Sequence, residues 1–266
     1  MLQRIVSALV LGVLLIAAVL WLPALASTVV LSLLLAAAAW EWSALIGAAG
    51  LGQRLLFLLA AAAVCAGLWI FTAAPSGLAA ALWCAAGFWI LAAMWVWGWP
   101  QAVNRPLSWV AGLVALPLAW LALARMRLDW HLGEYWVLYA LCIVWTADSG
   151  AYFAGRAWGR RKLAPRVSPG KTWAGLWGGL ALAALLAVFA TSWLSRSAPA
   201  LIVLTVVVAF FSVVGDLTES LFKRHAGVKD SGRLIPGHGG VLDRFDSLLA
   251  AAPLLMLGAS YLGRLP

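Results

Sequence analysis

Long apolar stretches, separated by short charged or glycine- and proline-rich connections, set the pattern of this chain. A helix needs about 20 predominantly apolar residues to cross a bilayer. Nine stretches approach or reach that length: Ile5–Leu22, Leu25–Ile46, Leu55–Ala74, Leu78–Trp99, Leu107–Ala124, Tyr135–Phe153, Trp173–Leu194, Ala200–Phe222 and Leu248–Leu262. The pattern predicts an all-α integral membrane protein, a polytopic bundle of about nine transmembrane helices. No repeat or low-complexity linker divides it, so residues 1–266 read as a single domain. Residues 1–134 supply the N-terminal spans, and residues 135–266 carry the two most charged connections, 155–172 and 223–247. The first run opens Met1-Leu2-Gln3-Arg4 and shows no obvious cleavage site before Pro23, so an uncleaved first span is expected.

Composition narrows the class further. The chain is 65% hydrophobic with a mean hydropathy of +0.99, which excludes an ordinary soluble domain. Its net charge of +9 is no nucleic-acid footprint, because the basic residues lie in connections between apolar runs. An anionic leaflet or an anionic substrate suits them better. The connections 155–172 and 223–247 together hold eleven of the eighteen Lys and Arg residues. Two spans separate them, so they share one side, and the bias towards basic cytoplasmic loops places that side inside. Arg4, Arg54 and Arg105 agree, whereas Arg125 and Arg127 fall on the outer side. His131 shares a short outer loop with Asp129 and Glu134. Cys65, Cys84 and Cys142 all lie within apolar runs and suggest no disulfide framework.

The stretch Asp216–Asp246 concentrates the chemistry, with five of the nine acidic residues and two of the three histidines. Asp216, Glu219, Ser220 and Lys223 recur at i, i+3, i+4 and i+7, one face of a helix. Asp216 lies two turns inside an apolar run, where a carboxylate costs on the order of 2.5–3.5 kcal/mol. Lys223 and Arg224 suit a helix C-terminus, and Asp243 and Asp246 suit the start of the last helix. Topology charges and plain helix caps therefore remain alternatives for these last residues and for Lys229. Upstream, Asp148 lies near the inner end of its span with Tyr152 on the same face. Ser168-Pro169-Gly170-Lys171-Thr172 lacks the upstream glycine of a P-loop, since position 165 is Pro165. It reads as a phosphate-binding turn at a helix N-terminus, or as a topology lysine followed by a threonine cap. Glu41, late in the second span, either pairs with an arginine or reaches the interface.

Ser220-x-x-Lys223-Arg224, Lys229-Asp230 and His238-Gly239-Gly240-x-x-Asp243-Arg244-x-Asp246 resemble, without a departure, the signature of phosphatidate cytidylyltransferases, also called CDP-diacylglycerol synthases. The likeness extends through Trp145–Arg156 and Ser168–Gly175. In the first half Glu41-Trp42 is its one recognisable feature. The resemblance implies transfer of CMP from CTP to phosphatidic acid, giving CDP-diacylglycerol and pyrophosphate. Several negative charges then meet, so cations are indispensable. Asp216 and Asp243 are the expected Mg²⁺ ligands, with Ser220 or Asp148 in support and a second cation open. Asp216, Asp243, Lys223 and Asp148 are the expected catalytic residues. Ser168, Lys171, Thr172, Ser220, Arg224, Lys229, His238, Gly239, Gly240, Arg244 and Asp246 are expected to bind substrate. The expected partners are CTP, phosphatidic acid and membrane lipids, with no nucleic acid and a homodimer left open. The expected setting is a bacterial inner membrane with the site facing the cytoplasm. A CTP-dependent lipid or isoprenoid kinase and a lipid-phosphate transporter are the alternatives.

Overall fold

A computed structural model describes residues 2–48, 50–101, 103–194, 197–232, 234 and 239–262, with side chains described from Val10 onward, Trp193 excepted. The helices are α1 (Leu2–Trp21), α2 (Ala24–Leu45), α3 (Leu51–Phe71), α4 (Pro75–Gly98), α5 (Arg105–Asp129), α6 (Gly133–Trp158), α7 (Trp173–Leu194), α8 (Ala198–His225) and α9 (Leu242–Leu262). Among the described residues eight helices, α2 to α9, are long and apolar enough to cross a membrane, and the described part of α1, Val10–Trp21, is a shorter apolar helix. The polytopic all-α architecture is thus the observed one.

Local chemistry sets the ends. Proline occupies the first turn of α4, α5 and α8, where its missing N–H costs nothing. Asn104 caps α5 by accepting from the Leu107 N–H at 2.9 Å. Gly227, at φ +70°, ends α8: its N–H donates to the Arg224 carbonyl at 3.1 Å and the Val228 N–H donates to that of Lys223 at 2.9 Å. That pairing is a Schellman closure, and it fixes where Lys223 and Arg224 leave the helix.

α9 is the most buried span and α3 the least. Between apolar helices in a bilayer, close approach relies on small residues. α6 and α7 meet through such residues: a Cβ on Gly178 would overlap Ala154, and one on Gly150 would lie 2.6 Å from the Gly178 carbonyl oxygen. α8 and α9 meet at Gly215, where a Cβ would lie 2.6 Å from the Asp246 carbonyl oxygen. That crossing sets Asp216 beside the first turns of α9.

Three expectations change. The connection 155–172 is not an irregular loop. α6 continues to Trp158, and an antiparallel hairpin follows, β1 (Lys162–Ala164) and β2 (Ser168–Thr172), with Lys162 opposite Thr172 and Ala164 opposite Ser168. Leu163, Ala164 and Val167 are buried and hold the hairpin on the bundle, while Lys162 and Arg166 stay exposed and Lys171 is half-buried. α9 begins at Leu242, six residues before the expected start of its apolar run, so Asp243 and Asp246 stand on the helix itself. Arg125 and Arg127 are also not simple topology charges. Arg125 pairs with Asp129 at 3.0 Å, donates to the Trp69 carbonyl at 2.9 Å and lies 3.8 Å from the Trp69 ring centroid. Arg127 pairs with Glu134 at 3.5 Å and donates to the Leu22 carbonyl at 2.9 Å. Each is paired within the bundle at the end where α5 meets α6, opposite the hairpin. All three cysteines are free thiols.

Candidate active site

The predicted stripe of α8 is formed. The Ser220 hydroxyl donates to Asp216 Oδ1 at 3.2 Å, one turn back. Lys223 pairs with Glu219 on the preceding turn and, at 2.7 Å, with Asp243 Oδ1 of α9. From the hairpin, Lys171 Nζ reaches Asp216 Oδ2 at 2.7 Å. Asp148 of α6 lies within charge–charge range of Asp216, Lys171 and Arg244, and Asp246 within range of Asp216, Glu219 and Lys223. Five carboxylates, Asp148, Asp216, Glu219, Asp243 and Asp246, therefore share one region with three cations, Lys171, Lys223 and Arg244. Such an excess of negative charge, partly out of water, calls for further cations.

Two cavities open on this cluster. One, about 400 Å³, lies between α6, the hairpin and α7 and is lined by Asp148, Tyr152, Arg156, Gly170, Lys171 and Thr172 among others. The second, about 660 Å³, lies between α1, α2, α6 and the start of α9. Its walls are apolar, with Leu11, Leu15, Ile16, Leu34, Leu141 and Val144, and its polar end holds Asp148, Ser149, Asp243, Arg244 and Asp246. Asp148 borders both.

The remaining predicted site residues divide. The Thr172 hydroxyl accepts from the Gly175 N–H at 3.1 Å and so caps α7 while also lining the smaller cavity. Ser168 sits opposite Ala164 at the start of β2 and is not among the lining residues of either cavity. Arg224 turns to the hairpin, its Nε 3.5 Å from the Val167 carbonyl oxygen. Lys229 is exposed, and no contact joins it to the cluster among the described residues. His238 lies outside the described residues. Gly239 and Gly240 close onto protein rather than onto open space. Gly239 has φ +80° and a Cβ there would lie 2.7 Å from Asp243 Oδ2, while a Cβ on Gly240 would collide with Glu41 and Ser231. Asp243 accepts from Lys223 at 2.7 Å, from the Ser231 N–H at 3.0 Å to one oxygen and 3.2 Å to the other, and from the Gly240 N–H at 2.8 Å. Asp246, expected at the start of the last helix and in the substrate-binding set, is buried in the first turns of α9.

The donor set suits a hard divalent cation. It consists of carboxylates and the Ser220 hydroxyl, and Glu219 Oε1 is buried without a hydrogen-bond donor among the described residues. No three His, Cys, Asp or Glu residues form a ready-made cage among the described residues. Mg²⁺ tolerates that arrangement, because it keeps several waters and takes one or two carboxylates plus substrate phosphate.

Residues 2–262 match the cytidylyltransferase family. The chain belongs to that family. It is 41% identical to a phosphatidate cytidylyltransferase of Haemophilus influenzae, over 94% of this chain and 96% of that one. It is also 41% identical to one of Pseudomonas aeruginosa, over 81% of each. A Brucella suis relative of the same name is 44% identical over 60% of this chain and 56% of its own. Three further polar residues of the site, Glu219, Glu41 and Ser231, are not marked as catalytic or substrate-binding by the motifs of the sequence. Glu219 stood in the α8 stripe, and its burial is the signal that singles it out. Glu41 accepts from the Ser231 hydroxyl at 2.9 Å and the Leu242 N–H at 2.8 Å. Ser231, one serine in a glycine-rich connection, carries no sequence signal at all.

Proposed function

We propose that this chain transfers CMP from CTP to phosphatidic acid, forming CDP-diacylglycerol and releasing pyrophosphate. The observation that carries this reading is the junction at Asp148, where a smaller cavity lined by Lys171 and Arg156 meets a larger, apolar-walled one ending at Arg244. A nucleotide triphosphate suits the first, and a lipid with its phosphate at Arg244 and its chains along α1 suits the second. In the reaction a lipid phosphate oxygen bonds to the α-phosphorus of CTP, and the bond from that phosphorus to the bridging oxygen breaks. The attacking oxygen is already anionic, so no strong general base is needed. Mg²⁺ held by Asp216 and Asp243, with Glu219 beside them, would neutralise charge on the phosphates. Lys171 exchanges its contact with Asp216 for triphosphate oxygens, and Lys223 keeps Glu219 and Asp243 together without mutual repulsion. Asp243 is saturated by its donors, and Lys223 alone among these contacts rides on a flexible stem that can move to admit a cation.

The test is incubation of the purified protein with phosphatidic acid, Mg²⁺ and CTP labelled at either the α- or the γ-phosphate. Transfer of CMP puts only the α-label into lipid, with the γ-label in pyrophosphate. A lipid kinase would put the γ-label into lipid, and a transporter would leave CTP intact. Replacing CTP by ATP should give little product.

The setting we propose is a bacterial inner membrane, with the hairpin and the α8–α9 connection facing the cytoplasm. Both lie at one end of the bundle, where the ends of α2, α4, α6 and α8 meet the starts of α3, α5, α7 and α9. Single cysteines at Lys162 and Lys229 should react with a membrane-impermeant reagent only after the inner face is opened. Labelling on opposite faces would overturn this orientation.

A further inference from the structure

The N-terminal spans α1 and α2 wall the larger cavity with apolar side chains, and α2 also sends one carboxylate to the start of α9. Glu41 lies late in α2 and is only 3% exposed. Burying a carboxylate there is expensive unless it is hydrogen-bonded. Its Oε2 accepts two bonds from far along the chain, from the Ser231 hydroxyl and from the first N–H of α9, that of Leu242. α9 starts without a cap of its own kind, because Val241 precedes it and offers no side-chain acceptor. The first N–H groups of a helix lack intrahelical partners and carry the positive end of its dipole, so an anion there is favourable. Glu41 supplies that anion from another helix.

The same carboxylate continues into the site. Ser231 gives its hydroxyl to Glu41 and its N–H to Asp243. The Gly232 and Gly240 backbones pass so close to Glu41 that a Cβ on either would collide with its carboxylate. The neighbouring Trp42 holds α2 in place, donating to the Ser108 carbonyl at 3.0 Å and packing against Phe222, 5.0 Å between ring centroids, just before Lys223 on α8. α2 therefore grips both partners of the Lys223–Asp243 pair, one through Trp42 and the other through Glu41 and Ser231.

We propose that Glu41 is a positioning residue: through Ser231 and the start of α9 it fixes the orientation in which Asp243 meets Lys223. The proposal rests on the nucleotidyl-transfer reading for its kinetic consequences, and its structural consequence can be read without it. Loss of a partner that orients an active-site carboxylate typically costs 10–100-fold.

The test uses the full-length protein and the variants Glu41→Ala, Glu41→Gln, Ser231→Ala and the double variant Glu41→Ala/Ser231→Ala. Turnover is measured against CTP and phosphatidic acid, and amide hydrogen exchange is followed across residues 228–246. Glu41→Ala should lower kcat about 10–100-fold with KM for CTP within about threefold, and should speed exchange at Ser231, Gly240 and Leu242 while α8 stays protected. Glu41→Gln should retain most of the turnover, because one amide oxygen can accept both bonds. Ser231→Ala should lower kcat, and the double variant should lose little more than the worse single one, since both break the same linkage. Wild-type kcat in Glu41→Ala or in Ser231→Ala, or independent losses that multiply in the double variant, would overturn the proposal. If Glu41→Ala is not recovered folded, Ser231→Ala decides, because it keeps the N–H that Asp243 accepts. If the wild-type protein turns over no CTP, the functional reading fails instead, and unchanged exchange in Glu41→Ala and Ser231→Ala is then what overturns the clamp.

Discussion

Asp216→Asn should lower turnover by about 10²–10³-fold, the scale set by removing one preorganised electrostatic contact from an active site, while leaving the protein folded. The two effects separate because they rest on different interactions. In stability, Asp216 contributes mainly its pair with Lys171 at 2.7 Å, between side chains 27% and 23% exposed. Pairs in contact with water contribute only about 0–1 kcal/mol. In catalysis the same carboxylate is an expected cation ligand, and a neutral amide oxygen is a far weaker one. A split in the kinetic constants follows. Lys171 loses its anionic partner in the variant and is free to hold triphosphate, so KM for CTP should stay level or fall while kcat collapses. Raising Mg²⁺ should restore part of the rate. The measurement is a CTP and Mg²⁺ titration of the purified variant beside its thermal transition in detergent. A variant with near-normal kcat at low Mg²⁺ would remove Asp216 from the cation site.

The helices were legible in the sequence because apolar runs of spanning length have few other uses. The stripe of Asp216, Glu219, Ser220 and Lys223 was legible for the same reason: four polar residues at helical spacing stand out against Leu and Val. Neither signal reaches the hairpin. Leu163, Ala164 and Val167 are too few to mark strands, and Pro165 and Pro169 read as loop. The start of α9 was hidden because Asp-Arg-Phe-Asp interrupts the apolar pattern at 243–246, and because the group that caps it, Glu41, lies 201 residues away. Likewise Arg125 and Arg127 could not be matched to Trp69 and Leu22 before the helix ends met. Gly239 and Gly240 were expected to bind substrate. They turn out to give room to the carboxylates of Asp243 and Glu41, which no spacing rule conveys. A stripe along one helix could be read, whereas pairings between distant spans, such as Glu41 with the Leu242 N–H, left no pattern in the sequence.

Lys223→Met should be the most damaging single change to stability in the site. Lys223 is 12% exposed and stands between two carboxylates, Glu219 at 1% and Asp243 at 7%. Methionine matches the length and volume of the lysine stem, so packing is little disturbed and the loss falls on charge. Breaking a buried pair leaves its partner uncompensated and costs about 3–5 kcal/mol. Here two carboxylates are stranded, and they also repel each other. Ser231 and Gly240 still donate to Asp243, so it keeps part of its support, whereas Glu219 retains no donor among the described residues. The thermal midpoint should therefore fall on the order of ten degrees, and turnover should be lost. Because the damage resides chiefly in Glu219, Lys223→Met combined with Glu219→Gln should regain much of the midpoint, since a neutral amide tolerates burial better than an unpaired carboxylate. Turnover should not return, as Asp243 still lacks the cation that orients it. Lys223→Arg should not substitute well, because a planar fork cannot place one nitrogen between Glu219 Oε2 and Asp243 Oδ1 as a compact ammonium does. Thermal unfolding and CTP turnover of the three variants decide the matter: a Lys223→Met protein as stable as wild type would mean that these carboxylates are not held by Lys223, and full recovery of activity in the double variant would mean that Glu219, not Asp243, is the group it serves.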